Sequence, residues 1–329
     1  MKNIVSLRYI WFLISLLIIV PGAIYFALYG LRTGIDFAGG ALWDLHFTTK
    51  QTSDLNTEKI GEIFAANGFE GAQVQVSTIK VNGKEIASAV VRTKELSPTS
   101  PEQQQRTILA ALTAVYGDVQ RESLQSVGPT VSAEATRSAA IAVLGACVAI
   151  LIYLTMAFSK APNPFRYGVC AVLAMLHDVL VVLGMAAILG HFIGLEIDAY
   201  FLTALLTIIS FSVHDTIVVF DRIRENLMHR RAGEVFDDII NHSIVQTLPR
   251  SINTQLTSIF TLTALLLFGG VTIRNLVLVL LIGLISGTYS SIFNAAQLLV
   301  VWEHREWRNW FRRGAVAEGY ARLRSMNIQ

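Results

Sequence analysis

Charged residues are scarce in this sequence. Asp, Glu, Lys and Arg make up 15% of its 329 residues, whereas hydrophobic residues make up 53%. Soluble domains average about 25% charged residues, so the composition excludes an ordinary soluble protein and indicates one embedded in a membrane. The formal net charge is +2, and the basic residues lie in short clusters between apolar runs, which gives no reason to expect nucleic-acid binding.

Cysteine and the common hydrolytic motifs are also missing or nearly so. The two cysteines, Cys147 and Cys170, both lie in apolar runs, so the chain has no disulfide framework. The sequence contains no Gly-x-Ser-x-Gly motif, no His-Glu-x-x-His motif and no paired nucleophile, which argues against an intramembrane enzyme. No catalytic residues are assigned.

What the sequence does have is long apolar runs. A membrane-spanning helix needs about 20 mainly apolar residues. The first run follows Lys2 and Arg8 as a signal peptide would, but it is too long and lacks a clear cleavage site, so we interpret it as an uncleaved anchor. The runs predict an α-helical polytopic membrane protein with six transmembrane helices, at residues 9–31, 133–157, 166–192, 199–221, 250–269 and 275–302.

The distribution of Lys and Arg predicts the orientation of these spans. Basic clusters precede span one, separate spans two and three, and follow spans four and six, while the other short connections carry little positive charge. Because positive charge favours the cytoplasmic side, both termini are predicted to be cytoplasmic, with segment 32–130 outside. The clusters are Lys2 and Arg8; Lys160 and Arg166; Arg222, Arg224, Arg230 and Arg231; and Arg305, Arg308, Arg312 and Arg313.

The long segment between spans one and two has the pattern of a small α+β domain. Strand-like and helix-like stretches follow one another in the order β-α-β-β-α-β, the order of a ferredoxin-like fold. Asn82-Gly83 is a hairpin signal between the second and third strands. With His46 as its only histidine and no cysteine, the segment is interpreted as a structural or docking module. The elements are expected at 41–47, 55–66, 74–79, 86–93, 101–116 and 119–127.

Two aspartates lie inside the apolar runs, Asp178 in span three and Asp215 in span four, and each follows a histidine, His177 or His214. Charges within spans are costly and often mark ion pathways. Asp178 could instead be a simple hydrogen-bond acceptor within the bundle. Neighbouring residues on a helix point about 100° apart, so each His-Asp pair offers one ligand to a given site, and no metal site is predicted.

Span five opens with a cation, Arg250. Thr254, Thr257 and Thr261 follow it on one helical face, with Ser258 beside them. Spans four and five run antiparallel, so Arg250 and Asp215 come near the same side of the membrane and could pair. Two alternatives remain open: Arg250 could extend to the membrane interface, and Asp215 could be a static ion-pair partner that packs helices.

Three further segments carry interpretable patterns. Gly283 and Gly287 in span six form a G-x-x-x-G motif, which predicts close helix packing. The link 222–249 is predicted to be cytoplasmic, with an amphipathic helix on the membrane surface over 232–249, and Trp307–Arg313 is expected to be an interface anchor. The predicted organisation is a cytoplasmic N-terminus with span one at 1–31, the outer domain at 32–130, spans two to six at 131–303 and a cytoplasmic tail at 304–329.

Five motifs carry a resemblance to a known family: GIDFAGG at 34–40, HDVL at 177–180, DTIVVFDRIREN at 215–226, LLFGG at 266–270 and GTYSSIF at 287–293. Together they resemble the SecF family of protein-export membrane proteins, which are relatives of the RND transporters. The similarity extends over essentially the whole chain, and the span-four motif is highly specific. The family more often has Thr at the position of Ala38 and Asn at the position of His214.

The resemblance implies one half of an RND-type bundle that works with SecD and the SecYEG channel in the inner membrane, with SecA and YajC as further candidate partners. It implies that the proton gradient, or sodium in some species, completes the export of unfolded preproteins. It implies no cofactor, and the coupling ion would be H+ or Na+. Asp215 and Arg250 match the family's proton-path residues, and the expected supporting polar residues are His214, Asp178, Thr254, Thr257 and Thr261.

The same residues leave one alternative of a different class, an RND-type half-transporter for a small molecule or lipid. A large porter domain after span one would favour that alternative, whereas the predicted domain at 32–130 is small.

The G-x-x-x-G face of span six is expected to contact SecD.

Overall fold

The computed structural model describes residues 3–81, 84–97, 100–159, 161–231, 233–270 and 273–306. The chain divides into a helical unit, Met1–Arg32, Ala142–Glu196 and Tyr200–Gln329, and a sheet unit, Thr33–Ile141 and Ile197–Ala199. The strands are β1 (Gly40–Phe47), β2 (Gln73–Val81), β3 (Lys84–Thr93) and β4 (Val119–Val127). The helices are α1 (Arg8–Tyr29), α2 (Ile35–Ala38), α3 (Thr57–Ala66), α4 (Pro101–Tyr116), α5 (Pro129–Ala157), α6 (Pro164–Ile193), α7 (Ala199–Met228), α8 (Phe236–Phe268), α9 (Arg274–Ser290) and α10 (Ala296–Glu303).

The sheet unit has the predicted ferredoxin-like order of elements. Its four strands lie in the order β2-β3-β1-β4, and each neighbouring pair is antiparallel. This arrangement confirms the fold class. The pairing of Val81 with Lys84 brackets the hairpin signal at Asn82-Gly83, which itself lies outside the described residues.

The core of the sheet unit follows from alternation along β1. Trp43, Leu45 and Phe47 are fully buried, and they share one face of the strand because side chains alternate between faces. They belong to the same buried cluster as Phe64 of α3 and Leu112 of α4, which cover that face. The Trp43 indole donates a hydrogen bond to Thr93 Oγ1 at 3.0 Å, so the one polar atom that this large side chain buries is satisfied.

The GIDFAGG motif ties the start of the sheet to the loop before α7. The Gly34 amide donates to the Ile197 carbonyl at 2.7 Å, and Asp36 Oδ2 accepts from the Ala199 amide, the first of α7, at 2.9 Å. A carboxylate at a helix N-terminus satisfies a free N–H and favours the helix dipole. Gly40 has φ +114°, and a Cβ there would lie 2.5 Å from the Thr93 carbonyl oxygen, so the motif needs glycine at this position.

Within the described residues, six helical segments are long and apolar enough to span a membrane, which confirms the predicted number. The most apolar windows of the third, fourth and sixth segments are 50% buried, whereas those of the others are 11% buried or less, so three spans form the inside of the helical unit. The segments are Val5–Tyr29, Pro129–Ala157, Pro164–Ile193, Ala199–Met228, Phe236–Phe268 and Arg274–Glu303. The sixth contains α9, a π-helical turn at Ser291–Ala295, and α10.

Glycines lie at close contacts between helices. A Cβ at Gly22 of α1 would lie 2.6 Å from the Cα of Gly184 on α6. A Cβ at Gly283 of α9 would lie 2.2 Å from Ile208 Cδ1 on α7, and one at Gly287 would lie 3.3 Å from Ser212 Cβ. Gly283 and Gly287 therefore both lie against α7 of the same chain. The expectation that this face contacts a second subunit is wrong, because α7 of the same chain occupies it.

The link between spans four and five differs from its prediction. Residues 222–228 are the last turns of α7, and α8 runs without a break from Phe236 through Pro249 to Phe268. Ile240 and Ile244 are fully buried in one cluster with Phe220 of α7. The amphipathic pattern therefore packs on the protein, and a separate helix on the membrane surface is not formed, because α7 offers an apolar surface that the pattern alone could not reveal.

Polar contacts join the N-terminal segment to the start of α8 and the end of α10. The buried Arg8 guanidinium donates to both carboxylate oxygens of Glu306, at 2.6 and 3.2 Å. His304 Nε2 lies 2.6 Å from Asp237 Oδ1, and this hydrogen bond is the main cause of the raised pKa of His304. Most of the predicted tail, including the interface anchor at Trp307–Arg313, lies outside the described residues.

Candidate functional site

Asp215 is buried in the middle of α7. Asp215 is only 3% exposed. On α8, Nε2 of Gln255 donates a hydrogen bond to Asp215 Oδ2. Burial of an ionised carboxylate without a cation is costly, so such groups are normally paired or neutral. Here the partner is a neutral amide. Within the part of the chain that the structure describes, no Lys or Arg forms an ion pair with Asp215.

Arg250 is the residue expected to pair with Asp215, and the structure does not bring the two together. Its side chain is exposed on the surface of this chain, and its guanidinium has no partner among the described residues. Five residues at about 100° each place Arg250 and Gln255 roughly 140° apart around α8. With Gln255 turned toward Asp215, Arg250 faces away from it.

The predicted threonine stripe lies on the same outward face as Arg250. Thr254, Thr257 and Thr261 are exposed, and each hydroxyl donates to the carbonyl four residues earlier, at 3.0, 2.9 and 3.0 Å. These contacts satisfy the hydroxyl protons within the helix itself. The stripe predicted from the sequence therefore exists, but no other helix among the described residues of this chain covers it.

Gln255 is the site residue that the sequence reasoning missed. It is 4% exposed, and it shares a buried face of α8 with Ser251, four residues earlier, which is 2% exposed. The hydroxyl of Ser251 and the Oε1 of Gln255 have no hydrogen-bond partner among the described residues. The sequence of α8 thus contains a second polar face, with Gln255 roughly 140° around the helix from Arg250.

Asp178 is a separate buried carboxylate with a full set of donors. It is fully buried on α6, and its oxygens accept from Ser212 at 2.6 Å, Ser286 at 2.7 Å and Ser290 at 2.6 Å. His177 Nδ1 lies 3.1 Å from Oδ1. These contacts join three spans, which is the hydrogen-bond acceptor role that the sequence left open. Any support by Asp178 of a proton path stays a prediction.

His214 precedes Asp215 in the sequence, and no hydrogen bond joins the two side chains among the described residues. It is exposed and lines a groove of about 430 Å³ with residues of α5 and α7, among them Ala146 and Ile150. Within the described residues, no group of three or more His, Cys, Asp or Glu residues is placed to hold a metal ion.

Six spans, a ferredoxin-like unit between the first two, and carboxylates buried in the third and fourth define a polytopic membrane protein with ionisable groups inside its bundle. The model of the family "Protein export membrane protein SecD/SecF, C-terminal" matches residues 107–305. The protein translocase subunit SecF of Thermobaculum terrenum is 49% identical, over 95% of this chain and 98% of the relative. That of Anaerolinea thermophila is 45% identical, over 96% of this chain and 98% of the relative. The chain belongs to the SecF family of protein translocase subunits.

A solved structure shows the same fold within a longer protein. The crystal structure of SecDF, a translocon-associated membrane protein from Thermus thermophilus, matches 92% of this chain with a TM-score of 0.77 and 30% identity. The match covers 39% of the SecDF chain. This chain therefore corresponds to a little over a third of that protein.

Proposed function

We propose that this chain acts with SecD as an accessory subunit of the Sec protein-export machinery, and that it couples the proton gradient, or a sodium gradient, to late steps of preprotein translocation and release. The observation that carries the proposal is Asp215, a carboxylate buried in a membrane span and paired with an amide rather than a cation. The charge state of such a group depends strongly on what surrounds it, so a change in its protonation can drive a change in helix packing.

Arg250 supplies the second state of this switch. An ionised Asp215 requires a positive partner. Arg250 can be that partner, because it lies on α8, the helix that also carries Gln255. A protonated Asp215 does not need it. Loss and gain of the proton would therefore favour two placements of α8, and the gradient would bias the exchange between them.

The outward face of α8 supports SecD as the partner. Arg250 and Asn253 lie exposed on a spanning helix beside the threonine stripe, and lipid is a poor environment for such groups. The SecDF relative carries the matched segment within one longer chain. SecD would cover this face, and the SecYEG channel, SecA, YajC and unfolded preprotein remain proposed partners of the assembly.

Thr257→Trp is expected to weaken association with SecD, because a bulky ring would prevent close approach on this face. A clash of about 1.4 kcal/mol would lower the affinity about tenfold. The measurement is the amount of SecD that co-purifies with the tagged chain from membranes. Leu17→Trp is the matched control, since Leu17 is 72% exposed on α1 among other apolar side chains that suit lipid. Equal recovery of SecD with both variants would contradict the proposal that α8 contacts SecD.

The orientation is also a proposal, supported by the positive-inside pattern: the sheet unit lies outside and both termini are cytoplasmic in the inner membrane. In a chain with Cys147 and Cys170 replaced by Ala, a cysteine at Glu122 of β4 should react with an impermeant thiol reagent added to intact cells. A cysteine at Glu234, in the connection before α8, should react only after the membrane is opened. Both side chains are exposed, so the comparison is matched. The reverse labelling pattern would overturn the orientation.

A further inference from the structure

The carboxamide of Gln255 has one satisfied end and one unsatisfied end. Its Nε2 donates to Asp215 Oδ2, while its Oε1 is buried and has no hydrogen-bond partner among the described residues. Both atoms belong to one planar group, so the free acceptor lies next to the carboxyl group of Asp215. A buried acceptor that remains unpaired is unfavourable, and its presence requires a physical reason.

Whether Gln255 Oε1 can receive a hydrogen bond from Asp215 depends on the protonation state of Asp215. An ionised carboxylate can only accept hydrogen bonds, so it leaves Oε1 unpaired and places a negative charge beside it. A protonated carboxyl group has one donor and one acceptor, and a primary amide has the complementary pair. The neutral acid can therefore form two hydrogen bonds with Gln255, an O–H to Oε1 and an N–H to the carboxyl oxygen.

We propose that Gln255 is the positioning residue that holds Asp215 in its protonated state, through a carboxyl–carboxamide pair. The proposal rests on the proposed function, in which Asp215 gains and loses the coupling proton. Gln255 and Arg250, on two different faces of α8, then stabilise different protonation states of Asp215. The amide pairs with the neutral acid, and the cation, roughly 140° away around α8, is available to the ionised form.

Gln255 is singled out by its hydrogen bond to Asp215, whereas the other polar groups near this part of the bundle form no hydrogen bond to that carboxyl group among the described residues. Asp178 is engaged by three serine hydroxyls, and the Thr216 hydroxyl donates to the Ser212 carbonyl at 2.9 Å. His214 and Arg250 are exposed. Among the titratable or charged groups on the surrounding helices are His177 and Asp178 on α6, His214 on α7, Arg250 on α8 and Tyr289 on α9.

The test is infrared spectroscopy of the full chain assembled with SecD. The carbonyl band of protonated Asp215 is isolated as the band that appears as the pH falls and that Asp215→Asn removes. Gln255→Leu should shift this band to higher frequency, because the carboxyl group loses both hydrogen bonds. Uncoupler-sensitive export should fall by roughly fivefold or more, since one hydrogen bond alone accounts for about that factor. Gln255→Glu should restore the band position only at low pH, where a second neutral acid can form the same pair.

Gln297→Leu is the matched control. Gln297 is another fully buried glutamine, and neither of its amide atoms has a partner among the described residues. This substitution should leave the Asp215 band in place. An unchanged band in folded Gln255→Leu protein would overturn the inference while leaving the proposed function intact. Absence of any Asp215 band in the wild-type assembly would overturn the proposed function itself.

Discussion

Asp215→Asn is expected to abolish the gradient-dependent part of preprotein export while leaving the protein inserted and close to wild-type abundance. Asn is similar in size to Asp and can still accept a hydrogen bond from Gln255, so the packing of α7 on α8 should survive. The amide cannot gain or lose a proton in the physiological range, so the switch is fixed in its neutral state. The measurement is export of a slowly released precursor, with and without an uncoupler, at matched protein levels.

Asp221→Asn is the control for this variant. Asp221 lies on the same helix, six residues later, and its exposed carboxylate pairs with the half-buried Arg224 at 2.7 Å. Exposed pairs contribute about 0–1 kcal/mol, so this change should have little effect on export. A static packing role for Asp215 makes the opposite prediction. In that case Asp215→Asn would keep uncoupler-sensitive export, and any defect would follow the amount of protein.

Gly283→Leu is expected to cause the largest loss of folded protein. A Cβ at this position would lie 2.2 to 2.7 Å from three side-chain atoms of Ile208. Ile208 is β-branched and stiff on a helix, so α7 and α9 must separate. Overpacking typically costs about 1–3 kcal/mol, and the upper end of that range lowers the folded-to-unfolded ratio by roughly two orders of magnitude. Separation would also disturb the serines of α9 that contact Asp178.

Gly145→Leu is the matched control, because a Cβ at Gly145 of α5 would meet nothing within 4 Å. Thermal unfolding of detergent-solubilised protein, followed by size-exclusion chromatography, should show early loss of the Gly283→Leu protein and normal behaviour of the Gly145→Leu protein. Equal stability of the two would contradict the contact between Gly283 and Ile208.

The sequence was sufficient to predict the spans and the sheet unit because their signals are local. Six apolar runs have the length of a bilayer, and β1 alternates residue by residue between a buried and an accessible face. Pro101–Tyr116 and Val119–Val127 have the predicted bounds, since proline begins the helix and Gly117 ends it. Such features depend on a few neighbouring residues and hardly on the rest of the fold.

The site depended on tertiary contacts, and there the prediction was incomplete. The periodicity of α8 defines two polar faces, and nothing local says which of them meets α7. Arg250 drew attention to one face, while the structure turns the other, with Gln255, toward Asp215. The G-x-x-x-G face of α9 has the same limitation. Its pattern predicts close packing but does not indicate which helix packs against it.

Carbodiimide labelling of Asp215 is the most direct test of the claim that this carboxyl group exchanges a proton within the membrane. A membrane-soluble carbodiimide reacts with protonated carboxyl groups in apolar surroundings, and peptide mass spectrometry locates the adduct. In the assembly with SecD we expect an adduct at Asp215 that decreases as the pH rises, because the ionised carboxylate does not react. An adduct at Asp215 that is absent at every pH, or that does not change with pH, would contradict the account.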